Sequence, residues 1–428
     1  MIDELIRAAI KAGDPYKAVR ESLQLKGKTL LVGERKFDVK GRIHVLAVGK
    51  AACGMSRALF EIIPREFIGN TLIVTKYGYR KGCPETNVIE AGHPIPDENS
   101  LLAGKLGLEL AKKVGENDLL IALISGGGSA LFVYPAEGVS LEDLIRTNEL
   151  LLRSGATIGE INTVRKHISR LKGGRLAKAV KGTVISLIVS DVVGDNLSSI
   201  ASGVTAPDPT TYHDAYEVLV KRGIWKKVPE SVRRVIEKGM REELEETPKM
   251  LDNIHNFIIA GNSKACEAVA RKARELGFNS AVMTTTLEGE AREVALAVGS
   301  IVEEVAKRNR PFKKPVVLVF GGEWTVTVGE AKGLGGPNQE FALSVARKIA
   351  GLNATVAAFD TDGTDGPTDA AGGIVDGETL QRLEKAGIDV EEVLKNHDSY
   401  RALEKIGALL KTGPTGTNVN SMVIAVIR

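Results

Sequence analysis

The sequence predicts an α/β protein in which a doubly wound sheet is followed by a second, different α/β domain. Three observations predict it. Short runs of apolar and β-branched residues recur along the chain, most of them continuously apolar, as strands buried on both faces are. Between most of them lie amphipathic stretches long enough for helices, and that alternation is the pattern of a parallel sheet with helical crossovers. The 428 residues exceed one ordinary core and suit two domains of about 200 residues each.

In chain order, the opening MIDELIRAAIKAGDP alternates charged and apolar residues at helical spacing. Strands are expected at about 43 to 48 (IHVLAV), 71 to 75 (TLIVT), 87 to 90, 118 to 125 (DLLIALIS) and 183 to 190 (TVISLIVS). Helices are expected at about 50 to 63, 98 to 113, 141 to 153 and 157 to 179, the second with Asp97 or Ser100 as N-cap. From about 205 to 250 the pattern changes to Pro-containing turns, helical segments and the charged run REELEETPKM. That change of composition places a boundary at about 245, giving domains of 1–245 and 246–428. A second α/β series follows, with strands at about 254 to 260, 280 to 284, 315 to 320, 354 to 359 and 421 to 427 and helices at 262 to 276, 288 to 308 and 337 to 350.

Composition narrows the function. A net charge of +3 is small for this length and no run of like charge could neutralise a row of phosphates, so nucleic acid is not an expected partner. The longest apolar run, within TVISLIVSDVVG, falls far short of the ~20 residues that span a bilayer, and the N-terminus lacks the apolar centre of a signal peptide. Cys53, Cys83 and Cys266 are isolated from one another, without C-x-x-C, and fit a reducing cytoplasm. The six histidines show no H-x-x-x-H, so a protein-built zinc site is not expected. Plentiful Lys, Arg and Glu beside scarce Gln and Cys point to a thermophilic source.

Chemistry collects where strands end. In open α/β sheets ligands bind beyond the carboxyl ends of the strands, so polar clusters at those ends are candidate sites. Gly49-Lys50-Ala51-Ala52 follows IHVLAV and opens a helix, and a lysine there opposes the helix dipole unless an anion is bound. Lys50 is therefore a candidate catalytic residue, with a solvated surface lysine as the alternative. Ser125-Gly126-Gly127-Gly128-Ser129-Ala130 follows LLIALI, where three glycines allow a sharp turn whose N–H groups form an anion nest, or simply a tight turn. In Gly92-His93-Pro94-Ile95-Pro96-Asp97 the two prolines favour a rigid structural turn. Arg165, Lys166, Lys172 and Arg175 gather cations around Gly173-Gly174, as an anion clamp or a surface cluster. Asp191 leaves the apolar strand TVISLIV, where a carboxylate needs a cation, a hydroxyl or backbone donors. It is the second candidate catalytic residue, with a turn-stabilising aspartate as the alternative.

In the second half, Gly321-Gly322-Glu323 follows PVVLVF, and Gly335-Gly336-Pro337-Asn338-Gln339-Glu340 opens a helix with proline at its first position. Glu323 and Asn338 join the candidate substrate or phosphate ligands. The loop Asp360-Thr361-Asp362-Gly363-Thr364-Asp365-Gly366 is the densest in acids. Its spacing fails the EF-hand rule and suits magnesium, which takes one or two carboxylates plus substrate phosphates, so Asp360 and Asp362 are candidate metal ligands unless the loop is an ordinary turn. Thr412-Gly413-Pro414-Thr415-Gly416-Thr417-Asn418 is a small polar loop before the last strand. There is no G-x-x-x-x-G-K-[ST] and no G-x-G-x-x-G between a first strand and helix, which excludes a P-loop and disfavours a standard dinucleotide site.

Taken in order, VGKAA, GHPIPD, SGGGSAL, VRKHIS with KGGRLA, SDVVGD, GGE, GGPNQE, DTDGTDGPTD and GPTGTNVN resemble the MOFRL-type, or class II, glycerate kinases, from about residue 41 to the C-terminus. The resemblance implies a Rossmann-like first domain, two unlike α/β domains around an active-site cleft, and Lys50 as the active-site lysine. It further implies ATP and D-glycerate as ligands, Mg2+ or another divalent metal, and phosphorylation of the 2-hydroxyl to give 2-phosphoglycerate. The family's usual G-G-R-N-Q-E has an arginine where this chain has Pro337; if that arginine touches substrate or phosphate, its work falls here to another cation, with Arg165, Lys166, Lys172 and Arg175 as candidates, or activity differs in detail. Competing expectations are a hydroxypyruvate reductase using NAD(P)H, which the missing dinucleotide fingerprint opposes, and a non-enzymatic binder of phosphorylated metabolites. The residues do not fix the oligomeric state, and a homodimer is allowed.

Overall fold

The computed structural model describes residues 1–428. The chain divides into two compact units, one of Pro15–Ser190 with Asn196–Ile259, the other of Met1–Asp14, Asp191–Asp195 and Ala260–Arg428. No helix is long and apolar enough to cross a membrane.

After the helix Pro15–Ser22 the first unit has an antiparallel meander, β1 (Leu23–Lys26), β2 (Thr29–Val32) and β3 (Arg35–Asp38), which the sequence alone did not predict. Its main sheet contains β4 (Ile43–Val48), β5 (Ile68–Lys76), β6 (Val88–Ala91), β7 (Leu119–Ile124), β8 (Thr183–Val189) and β9 (Ile254–Ala260), in the order β6-β5-β4-β7-β8-β9. The pairs from β6 to β8 are all parallel. Counted from β4, that is the 3-2-1-4-5-6 order of a Rossmann sheet, whose direction of winding reverses between β4 and β7. Both of those strands are buried at every residue, as their unbroken apolar runs require.

One expected strand changes place. Ile254–Ala260 was expected to open the second series, but it pairs beside β8 at the edge of the first sheet, where Phe37 of β3 packs on His255 and Phe257. The passage between units accordingly comes at 259/260, beyond the change of composition at 245. The expected helix 157 to 179 is also two helices, Ile158–His167 and Arg175–Lys178, because Gly173 and Gly174 between them both adopt positive φ. Asp97 caps the helix Glu98–Lys113 through a reciprocal capping box with Ser100.

Cys53, in the helix Ala52–Ile62, and Cys83 form a disulfide, while Cys266 is free and buried. Their sequence separation of 30 conceals the proximity, because the loop after β5 folds back onto that helix. The isolation of the cysteines therefore no longer argues for a reducing compartment.

In the second unit a mixed sheet contains β10 (Asn279–Glu290), β11 (Val316–Thr325), β12 (Ala354–Asp360), β13 (Gly372–Asp376), β14 (Leu409–Leu410) and β15 (Ser421–Ile427), in the order β10-β11-β15-β12-β13-β14. Only β10 and β11 are parallel to each other. Val316, Leu318 and Phe320 of β11 and Val423 and Ala425 of β15 pack with the helix Pro337–Ile349 in one apolar core. The helix Asn262–Glu275 is tied to the sheet by Asn262, whose Nδ2 donates to the carbonyls of Val419 (2.8 Å) and Ser421 (3.1 Å).

Gly321 explains the first half of the GGE motif. A Cβ there would overlap Asn262 Oδ1 and come within 2.8 Å of Cys266 Sγ. Gly321→Ala should displace the Asn262 amide and cost about 2 kcal/mol, overpacking plus a lost buried hydrogen bond. Thermal unfolding checks this; a melting temperature within about a degree of wild type would show that Asn262 repacks freely.

Candidate functional site

The first unit places one group of predicted residues at the reversal of its sheet. Lys50 follows β4 after Gly49 and Ser125 directly follows β7, so the two sides of the topological switch point carry them. The turns interlock: Lys50 N donates to the Gly126 carbonyl (2.9 Å), Ala51 N to Ser125 Oγ (3.1 Å) and Ser125 N to the Val48 carbonyl (2.9 Å). Gly49, at φ +127°, leaves no room for a Cβ beside Ser125. Lys50 is thereby held next to Ala51, the N-cap of the helix Ala52–Ile62, which has no side-chain cap. His93, from the proline-rich turn, lies against Gly127, and burial together with the charges of Lys50 and Lys76 lowers its pKa.

The glycine run does not float. Ser129 Oγ shares a hydrogen bond with Ser202 Oγ (2.9 Å), and Ser202 donates to Asn162 Oδ1 (3.0 Å) on the helix Ile158–His167. Ser202 takes φ +56°, in the left-handed region that serine seldom adopts. Gly128 packs so tightly on Ala201 that a side chain would force it away.

The four predicted cations have different environments. Lys166 forms a buried ion pair with Asp208 (3.2 Å) and donates to Ser198, and Asp208 also accepts from Thr210 and Thr247. Arg175 donates to Tyr212 Oη (3.0 Å) and the Glu245 carbonyl (3.1 Å), lining a cavity of about 840 Å3 with Lys112, Lys178 and Lys238. Lys172 differs: its Nζ is buried without a hydrogen-bond partner, and burial beside the charge of Arg165 lowers it to about 7. Arg165 is held by Asn148 (2.8 Å). Arg165 and Lys172 are thus adjacent cations lacking a carboxylate, the arrangement that an anion stabilises.

The second unit gathers the acidic candidates through strand register. Ser421, at the start of β15, is opposite both Gly322 of β11 and Asp360 of β12. Because β15 is antiparallel to both, the residues preceding it lie beside the residues ending the other two. Glu323, Asp360 and Asn420 therefore share one end of the sheet. Asn420 donates through Nδ2 to the Asp191 carbonyl (3.0 Å) and to Glu323 Oε2 (3.3 Å). Ser421 Oγ donates to Asp360 (3.2 Å) and accepts from Asn338 Nδ2 (2.9 Å). Burial and the nearby charges of Asp191 and Glu288 raise the pKa of Glu323. Burial and the charge of Asp362 push Asp360 up to about 7.

Part of the acidic loop builds structure. Asp360 accepts from the Asp362 N–H (3.0 Å) and Asp362 from the Thr364 N–H (2.8 Å), two successive Asx turns. Asp365, which the sequence reading did not select, accepts from the backbone N–H groups of Asn338 (3.0 Å) and Gln339 (2.9 Å) and so holds the start of the helix Pro337–Ile349. Asn338 is occupied by Asp365 and Ser421 through its donors, while its Oδ1 lacks a partner. Asn420 and Ser421 were missed as well, although Asn420 ends the motif GPTGTNVN. Its signal was local: asparagine tolerates the left-handed region, and Asn420 has φ +63°. No group of three or more His, Cys, Asp or Glu side chains forms a ready-made metal cage.

These sites stand in a recognisable lineage. Residues 1–237 match a domain of unknown function, DUF4147, and residues 316–421 match the MOFRL family. A Pyrococcus horikoshii protein named glycerate 2-kinase is 60% identical over 424 residues, covering 99% of this chain and 96% of its own. The crystal structure of a glycerate kinase from Thermotoga maritima superposes with a TM-score of 0.88 at 45% identity, covering 99% of this chain and 98% of that one. An Agrobacterium vitis protein provisionally named hydroxypyruvate reductase is 40% identical, over 99% of this chain and 93% of its own. With such identity along the whole chain, this protein belongs to the MOFRL-type glycerate kinases.

Proposed function

We propose that the protein is a glycerate 2-kinase that transfers the terminal phosphoryl group of ATP to the 2-hydroxyl of D-glycerate, giving 2-phosphoglycerate and ADP. The observation that carries this reading is the placement of Lys50 and the Ser125–Ala130 glycine run at the switch point of a Rossmann-order sheet that lacks a dinucleotide fingerprint. The names of the Pyrococcus and Thermotoga relatives support the same reaction.

Phosphoryl transfer asks the protein for charge neutralisation, in-line positioning and a proton acceptor. In this reading the N–H groups of the glycine run bind an anion, and Lys50 stabilises charge on the transferring phosphoryl. Arg165 and Lys172 supply further positive charge for carboxylate or phosphate. As the hydroxyl oxygen bonds to the γ-phosphorus, the bond to the ADP oxygen breaks and the Asp191 carboxylate accepts the hydroxyl proton. Asp360 and Asp362 fit a divalent cation, because burial drives Asp360 toward the protonated form and a cation would stabilise its charge instead. Bound there, magnesium would screen the phosphate charge.

Incubating the purified protein with D-glycerate and Mg-ATP should release ADP, with no NADH oxidation when hydroxypyruvate and NADH are supplied instead. NADH consumption without ADP release would establish the reductase reading that the Agrobacterium name favours.

Lys50→Ala should separate activity from stability. Removing a cation from a helix start stabilises by about 0.3 to 1 kcal/mol, whereas losing transition-state charge neutralisation costs on the order of a hundredfold in rate. Melting temperature should therefore hold or rise while kcat falls. A lower melting temperature with a proportionate loss of activity would make Lys50 structural.

Without metal, Asp360→Asn should gain on wild type as pH rises. The raised carboxyl binds its proton more tightly folded than unfolded, so its contribution to stability is complete below about pH 4 and lost as pH rises through about 7. The amide loses nothing over that window. Melts at about pH 5 and about pH 8 should show the difference growing with pH, and added magnesium should shrink it by stabilising wild type. A difference independent of both pH and magnesium would assign Asp360 to the turn alone.

A further inference from the structure

We infer that Asn420 is a specificity-determining residue whose amide oxygen accepts a hydrogen bond from the substrate hydroxyl that is not phosphorylated. The inference rests on the glycerate kinase reading and adds how the site distinguishes a dihydroxy acid from a monohydroxy one.

The orientation of the amide is fixed by its neighbours. Its two close partners, the Asp191 carbonyl and a Glu323 carboxylate oxygen, are both acceptors, so Nδ2 must face them. Turning the amide over would set Oδ1 against two oxygens. In the observed orientation Oδ1 is buried with no hydrogen-bond partner, on a residue only 7% exposed. A buried acceptor without a donor costs about 1 to 3 kcal/mol. The backbone is committed too: Asn420 has φ +63°, and its carbonyl accepts from Thr361 N (3.3 Å) and Oγ1 (2.9 Å). Two costs, a left-handed backbone and a bare acceptor, thus fall on one residue between Glu323 and Ser421.

The chemistry of its surroundings selects the missing donor. The Asp191 carbonyl and the Glu323 carboxylate both face Nδ2, and no protein donor reaches Oδ1. A substrate hydroxyl is a donor of the right kind. Of the two hydroxyls of glycerate, the reacting one must surrender its proton to a base, and an amide oxygen is too weak a base to take it. An amide acceptor suits the hydroxyl that keeps its proton throughout, the 3-hydroxyl. Once desolvated, an acceptor of this kind discriminates strongly against a ligand that lacks the donor, because the ligand's methyl group leaves it unpaired.

D-lactate is D-glycerate without the 3-hydroxyl, and it provides the test. Wild type should favour D-glycerate over D-lactate by about a hundredfold or more in kcat/KM. Asn420→Gly keeps a residue suited to positive φ and removes the amide; it should lower kcat/KM for glycerate by that factor and leave lactate almost unchanged, so that the preference collapses. Asn420→Asp retains an acceptor oxygen and should keep the preference even if both rates fall, which also covers failure of the glycine variant to fold. Equal losses for the two substrates in Asn420→Gly would overturn the inference, making Asn420 a positioning residue for Glu323 and Asp191. A changed magnesium requirement with the preference intact would overturn it in favour of a metal ligand. Wild-type protein that releases no ADP from glycerate overturns the kinase reading itself, and this inference with it.

Discussion

Strand β15 runs antiparallel between β11 and β12, and the acidic site of the second unit depends on that one orientation. Parallel insertion would carry Asn420 and Ser421 to the opposite end of the sheet from Glu323 and Asp360. The register is protected in two ways. Every residue of β15 is buried, so a slip of one position would turn each side chain to the wrong face. Asn262 also donates to the carbonyls of residues 419 and 421, on either side of Asn420, from the start of the helix Asn262–Glu275. The left-handed turn at Asn420 is therefore imposed by neighbours that are satisfied only in this register.

The two units concentrate opposite kinds of electrostatic cost. The first buries Lys172 without an acceptor next to Arg165, while the second buries Asp360 next to Asp362 and leaves the amide oxygens of Asn338 and Asn420 without donors. Each arrangement costs stability in the empty protein and is relieved by a ligand of complementary character, an anion in one case and a cation or hydroxyl donor in the other. In the kinase reading proposed above, ATP, glycerate and a divalent cation comprise that set. The disposition is that of sites organised before binding, in which folding meets the cost of placing charge and the ligand need not reorganise its surroundings. Lys166 makes a useful contrast, since its ammonium is equally buried but neutralised by Asp208.

The fold was legible wherever a strand is buried on both faces. IHVLAV, LLIALI and TVISLIV could be read because a continuous apolar run has few other uses, and the polar residues just beyond them could be read as candidates because strand ends are where such sheets bind ligands. The assignment of β9 to a sheet was not legible, because pairing partners are chosen by tertiary packing and IHNFIIA suits either sheet. The same holds for the disulfide, in which a loop brings together cysteines that the sequence separates. In the site, residue type identified Lys50, Ser125 and the acidic loop. It could not identify Asp365, whose work is to hold the start of a helix nearly thirty residues away in sequence, or separate Lys166 from Lys172, two buried lysines that differ only in having an aspartate within reach.

That last distinction bears on Pro337, which stands where the family usually has arginine. Proline suits the first position of the helix Pro337–Ile349, because the N–H it lacks would have had no partner within the helix. The helix start is instead held by Asp365 through Asn338 and Gln339, so no charge at position 337 is needed for the fold. If the usual arginine serves a ligand, its replacement must be a cation without a competing acceptor. Lys166 fails that condition because its ammonium is neutralised by Asp208, and Arg175 meets it poorly because its guanidinium is held by Tyr212 and the Glu245 carbonyl. Lys172 meets it fully, and Arg165 has only the neutral Asn148 amide as a partner. Of the four cations around the glycine pair, the charge left for an anion thus resides in Arg165 and Lys172. The fall of Lys172 to about 7 follows from the same condition, since an ammonium denied both water and a carboxylate holds its proton weakly and an anion beside it would strengthen that hold.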